Sequence, residues 1–106
     1  MKHILFELRG CPSKLLDDPE FIVMALQIAS SRANSKLLGV NCHHFKPQGV
    51  TAISMLAESH MSIHTWPEKK SACLDILSCK NNPGNFINEI VKLFSTKNYK
   101  FKNITR

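Results

Sequence analysis

Residues 50–66 read VTAISMLAESHMSIHTW, and the fold follows from how that run divides. Residues 50–57 and 59–66 have the length and composition of two strands, with a break at Glu58. In the second, His60, Ser62, His64 and Trp66 alternate with Met61 and Ile63, the period of a strand that buries one face. In the first, apolar or small residues occupy both faces. Residues 37–45 before this pair and 72–79 after it also read as strands, set off by Pro47–Gly49 and Pro67–Lys70.

Further out the period changes. Residues 3–8 (HILFEL) form a first strand and turn at Gly10–Pro12. Asp18 then stands as an N-cap with Pro19 at the first helical position. Phe21, Met24, Ala25, Ile28 and Ala29 recur at helical spacing, so 19–33 reads as an amphipathic helix. A second helix starts near Pro83 and carries Phe86, Ile87, Ile90, Val91, Leu93 and Phe94. A short strand at 99–104 ends the pattern.

The order strand, helix, four strands, helix, strand gives an α+β fold. The expected architecture is a two-layer sandwich, a mostly antiparallel sheet with two helices on one face. Helices on one face leave the other open. A strand that is apolar on both sides needs a second cover, and the natural one is a second copy packed sheet to sheet, a homodimer.

Composition narrows the class. The 106 residues suit a single domain, 1–106, with 43% hydrophobic and 21% charged content. Net charge is +6, but the basic tail is short and matches no nucleic-acid motif, so no nucleic-acid partner is expected. No apolar run approaches the ~20 residues of a membrane span. The opening MKHILFELRG has a charge within its apolar stretch and no cleavage site, so it does not read as a signal peptide. The expected setting is the cytoplasm, with Cys11, Cys42, Cys73 and Cys79 as free thiols.

Chemistry concentrates at residues 57–68, AESHMSIHTWPE. Two histidines, two serines, a threonine and two glutamates crowd beside apolar strands, where an unpaired buried polar group costs about 1–3 kcal/mol. The residues alone leave three readings open. One is a strand with a polar face in water. A second is a metal site using His60, His64, His43 and His44; no cysteine pair accompanies them and no zinc-type spacing is present, so no metal centre is expected. The third is nucleophilic chemistry at Ser59, which needs a base or an activated carbonyl, and no G-x-S-x-G elbow supplies a triad. Strand alternation sets Ser59 and His64 on opposite faces, so their cooperation would require a bend near 58–60.

Three segments, CHHFKPQGVT (42–51), AESHMSIHTWPE (57–68) and the strand end ILSC (76–79), with the opening HILFELRGC (3–11), closely resemble the prokaryotic S-adenosylmethionine decarboxylase proenzyme family. The similarity covers nearly the whole chain. It implies a pyruvoyl-dependent enzyme of polyamine (spermidine) synthesis, made as a zymogen. Autocatalytic cleavage between Glu58 and Ser59 would give a β chain, 1–58, and an α chain, 59–106, that begins with a pyruvoyl group derived from Ser59. The pyruvoyl ketone would then bind the substrate amine as a Schiff base.

By the same resemblance His64 transfers a proton during processing, Thr51 supplies a supporting hydroxyl, and Cys79 donates the proton that replaces carbon dioxide. Phe45 would stack on adenine and Glu68 would accept the ribose hydroxyls of S-adenosylmethionine. Cys11, Cys42 and Cys73 match no such role and read as packing residues. Arg9, Lys69–Ser71 and Lys80 depart from the family's pattern. These departures leave processing intact and open the substrate to arginine or ornithine on the same fold; a separate alternative is a relative that no longer processes and serves binding or regulation.

Overall fold

The computed structural model describes residues 1–78 and 84–106, with the backbone alone for 84–86. The elements run β1 (Lys2–Arg9), α1 (Ser13–Leu16), α2 (Pro19–Arg32), β2 (Lys36–His44) and β3 (Val50–Ala57). β4 (Ser59–Trp66), a 3-10 turn (Pro67–Lys69), β5 (Ser71–Ser78), α3 (Gly84–Leu93) and β6 (Asn98–Thr105) follow. One six-stranded sheet has the order β2-β3-β4-β5-β1-β6, antiparallel throughout. The expected two-layer α+β sandwich is what forms.

Alternation decides which face is covered. Ile4, Phe6 and Leu8 of β1, Met61 and Ile63 of β4, and Leu74 and Ile76 of β5 are buried with Ile22 and Leu26 of α2 and Ile90 of α3. Phe94, just past α3, meets Phe21 edge to face with ring centroids 5.3 Å apart. The other face stays open: Leu5, Ile53 and Met55 are 40%, 50% and 63% exposed. No helix among the described residues is long and apolar enough to cross a membrane.

The first long helix starts where the sequence says. The Asp18 side chain accepts a hydrogen bond from the Phe21 amide at 3.2 Å, and Pro19 occupies the first turn. That cap is worth about 1 kcal/mol.

The buried stripe differs from the expected one. Ile22, Ala25, Leu26, Ala29 and Ser30 face the sheet, while Met24 is exposed and Phe21 and Ile28 are half-buried. A serine can sit in this stripe because its hydroxyl donates to the Leu26 carbonyl at 2.6 Å. The segment expected as a turn also holds the one-turn helix α1, whose Leu16 is fully buried. Pro83, expected near the second helix's start, lies outside the described residues.

Candidate active site

Directly opposed residues in a ladder share a face, so the pairings lay out the open face as rows. One row reads His43, Thr51, His64, Cys73, Glu7 and Lys100. The next reads Asn41, Ile53, Ser62, Asp75, Leu5 and Lys102. The third carries Met55, His60, Leu77 and His3.

Ser59 lies beyond the third row. It is the first residue of β4 and is half-buried. Its rung with Leu56 is the last between β3 and β4, and the chain reverses through Ala57 and Glu58. The Ala57–Glu58 peptide is cis.

Thr51 and His64 are brought together. They oppose each other in the ladder, with Thr51 Oγ1 3.0 Å from His64 Nδ1. When Nδ1–H donates to the threonine oxygen, Nε2 is left as the basic nitrogen.

Ser59 is not brought to this pair. β4 is regular between them, and five residues at about 3.4 Å each separate Ser59 from His64 by about 17 Å. Ser59 also shares the parity of Met61 and Ile63, whereas His64 shares that of the open face. Within one chain His64 does not reach Ser59.

Phe45 and Glu68 belong to the His64 end. Phe45 follows β2, its amide donates to the Gly49 carbonyl at 2.8 Å, and its ring meets His43 with centroids 4.5 Å apart. Glu68 is exposed in the 3-10 turn after β4. Cys79 lies outside the described residues.

The loop bearing Phe45 is fixed from below. The Asp17 carboxylate accepts the Gly49 amide at 2.9 Å and lies 2.9 Å from His44 Nε2. These bonds, the Gly49 amide first, hold the Asp17 carboxyl below its ordinary value. Gly49 has φ +107°, and a Cβ there would stand 3.2 Å from the Thr65 carbonyl oxygen, so the position requires glycine. Thr65 is buried; its hydroxyl donates to the Leu16 carbonyl at 2.7 Å and accepts the Val50 amide at 2.9 Å.

A second polar group forms around Asp75. His3 Nε2 is 2.7 Å and His60 Nε2 3.3 Å from Asp75 Oδ2, and the Ser62 hydroxyl donates to Oδ1. Burial raises the Asp75 carboxyl, but the bonds from Ser62, His3 and His60 outweigh it, and the net shift is downward. Asp75 is therefore ionised at neutral pH. A cleft of about 480 Å³ opens between the two groups, lined by Ser62, His64, Cys73 and Asp75 with Glu7 and Lys100.

Asp17, Asp75 and Cys73 were absent from the sequence reading of the site. Asp75 carried a signal, a lone acid in the apolar strand ACLDIL. Asp17 carried none. Two of the packing assignments are corrected: Cys11 is fully buried, its thiol pushed up to about 11 by desolvation, but Cys42 is exposed on the edge strand β2 and Cys73 is half-buried on the open face. Strand parity decides this, since Cys73 shares a row with His64.

A family model described as S-adenosylmethionine decarboxylase matches residues 2–106. The chain is 41% identical to the S-adenosylmethionine decarboxylase proenzyme of Prochlorococcus marinus (strain MIT 9211), over 99% of this chain and 88% of the relative. It is 40% identical, with the same coverage of both, to the proenzyme of that name from Methanococcus maripaludis (strain C5). The crystal structure of the adenosylmethionine decarboxylase from Aquifex aeolicus VF5 superposes with a TM-score of 0.90 at 30% identity, covering 99% of this chain and 88% of that one. The Trypanosoma brucei AdoMetDC-delta26 monomer shares the fold, with a TM-score of 0.73 at 12% identity over 94% of this chain and 44% of that one.

Proposed function

The chain belongs to the S-adenosylmethionine decarboxylase family, and on that premise we propose that it is a proenzyme that cuts itself at Glu58–Ser59 and then decarboxylates S-adenosylmethionine. The observation that carries this reading is the position of Ser59, first in its strand and directly after the reversal at Ala57 and Glu58. A cut there leaves residues 1–58 and 59–106 each held in the sheet by their own rungs.

The processing chemistry balances on the chain's own atoms. The Ser59 hydroxyl adds to the Glu58 carbonyl, and the amide C–N bond breaks as nitrogen takes the proton, leaving an ester. Removal of the Ser59 α-hydrogen then breaks the Cβ–O bond and releases Glu58 as a carboxylate. Water hydrolyses the dehydroalanine that remains to a pyruvoyl ketone and ammonia. Ser59 fits as the source of this group, because it is the first residue of its strand and directly follows the reversal at Ala57 and Glu58.

His64 is assigned the α-hydrogen, in trans. It stands about 17 Å from Ser59 of its own chain, so the base for each Ser59 is the His64 of a second copy in a homodimer packed sheet to sheet. Exposed Leu5, Ile53, Met55 and Trp66 on the open face support such packing; burying side chains of this size stabilises by about 1.5–3 kcal/mol each. Thr51 orients the imidazole.

In the mature enzyme the pyruvoyl ketone supplies an electron sink for the pair left by departing carbon dioxide. Cys79 returns a proton from its thiol. Phe45 stacks on the adenine and Glu68 accepts the ribose hydroxyls; Asp17 and Gly49 hold the loop that presents Phe45. A cytoplasmic setting goes with a reduced Cys79.

Incubating the processed protein separately with S-adenosylmethionine, arginine and ornithine, and measuring carbon dioxide, tests the substrate. Release from S-adenosylmethionine supports the reading. Release from arginine or ornithine alone overturns it.

A further inference from the structure

We propose that His3, His60 and Asp75 form a binding site for one zinc-type divalent cation on the open face of the sheet. The sequence argued against a metal centre, because no cysteine pair and no zinc-type spacing accompany His43, His44, His60 and His64. The sheet instead brings His60 of β4 to His3 of β1 and Asp75 of β5, three strands that pair side by side. One ligand atom from each lies within 4.8 Å of the other two.

The donor set suits a borderline-soft cation. Two neutral imidazole nitrogens and one ionised carboxylate are a ligand set that zinc uses at catalytic sites, with bond lengths of about 2.0–2.2 Å. Ligand atoms around a tetrahedral ion then stand about 3.3 Å apart. Asp75 Oδ2 already lies 2.7 Å from His3 Nε2 and 3.3 Å from His60 Nε2. Both imidazoles point the same nitrogen at one oxygen, so small side-chain movements would admit an ion between them. The ligands stand on paired strands, which limits the reorganisation needed on binding.

Partial burial fits as well. Within one chain the side chains of His3 and Asp75 are 19% and 22% exposed and that of His60 42%, so the site opens on the His60 side, toward the face that the proposed second copy would cover. Water can complete a fourth position there. Ser62 holds the second carboxylate oxygen, the kind of outer contact that orients a metal-bound carboxylate. The ion would replace the hydrogen bonds between Asp75 and the two histidines.

Cobalt(II) titration of the purified protein, followed by visible absorption, tests the site. The same titration of the Ser59→Ala chain removes any dependence on self-cleavage. The expected result in both is one cobalt per chain with a tetrahedral spectrum, displaced by zinc. His3→Gln, His60→Gln and Asp75→Asn should each weaken binding by more than the ~10–100-fold typical of losing an outer contact. Zinc should also raise the melting temperature of the unaltered chain through linkage, a readout that needs no variant to fold. No saturable binding up to millimolar cobalt, or binding unchanged in His60→Gln and His3→Gln chains that fold, would overturn the proposal.

Discussion

Thr51 and His64 face each other across the β3–β4 ladder with 3.0 Å between Oγ1 and Nδ1, at the far end of β4 from Ser59. His64 and Ser59 therefore occupy opposite ends of one strand. Phe45 and Glu68 gather at the His64 end, and Ser59 stands apart. The self-cleavage proposed above needs both ends together, an arrangement that two copies packed face to face would supply.

This separation has a direct genetic test. Co-expressed Ser59→Ala and His64→Ala chains should yield mixed dimers in which the His64→Ala chain, which keeps its serine, is cut by the other copy's imidazole. Each variant alone should stay intact, with processing slowed by about 10²–10⁴-fold for His64→Ala. Cleavage of neither chain in the mixture would return the base to the same protomer.

Thr51→Val should slow processing while leaving the fold intact, because the methyl group keeps the volume and only the contact to His64 Nδ1 is lost. The expected signature is a shifted pH dependence of the cleavage rate, measured by intact mass over time. An unchanged profile would remove Thr51 from the mechanism.

Thr65→Val is a stability prediction. It leaves the buried Val50 amide and Leu16 carbonyl without their hydroxyl partner, and each such group costs about 1–3 kcal/mol. The midpoint of urea unfolding should fall accordingly. A midpoint equal to that of the unaltered protein would show that other groups or water satisfy both.

How much of this was legible beforehand depends on which interactions were local. Alternation in SHMSIHTW and the double-sided apolar strand before it fixed the sheet, its one covered face and the reversal at Glu58 to within a residue. The Asp18–Pro19 start was legible because capping acts between residues three apart. The buried stripe of α2 was misjudged because Ser30 satisfies itself on its own helix, which composition does not reveal. Asp17 and Gly49 are joined across 32 positions, and His3 and Asp75 across 72. Strand order joins His3 to Asp75 and the packing of α1 against the loop before β3 joins Asp17 to Gly49, so no spacing rule finds either pair. The role proposed for Ser59 came from a motif resemblance, since alternation alone set it on the opposite face from His64.

Asp75 makes stability depend on acid. Its folded value lies below the ordinary 3.8, so the folded state binds fewer protons than the unfolded chain as pH falls. The stabilisation is complete above 3.8 and is lost as pH drops through the lower folded value. Denaturant midpoints measured between about pH 5 and pH 2 should decline more steeply for the unaltered protein than for Asp75→Asn. Parallel curves would show that the three hydrogen bonds contribute no net stabilisation.

The most direct measurement is the intact mass of the purified protein. Two species, residues 1–58 ending in a free carboxylate and residues 59–106 beginning with a blocked pyruvoyl group, are the predicted result, and Ser59→Ala should give one unbroken chain. A protein that releases carbon dioxide from S-adenosylmethionine while its mass remains that of the full, uncut 106 residues would contradict the account.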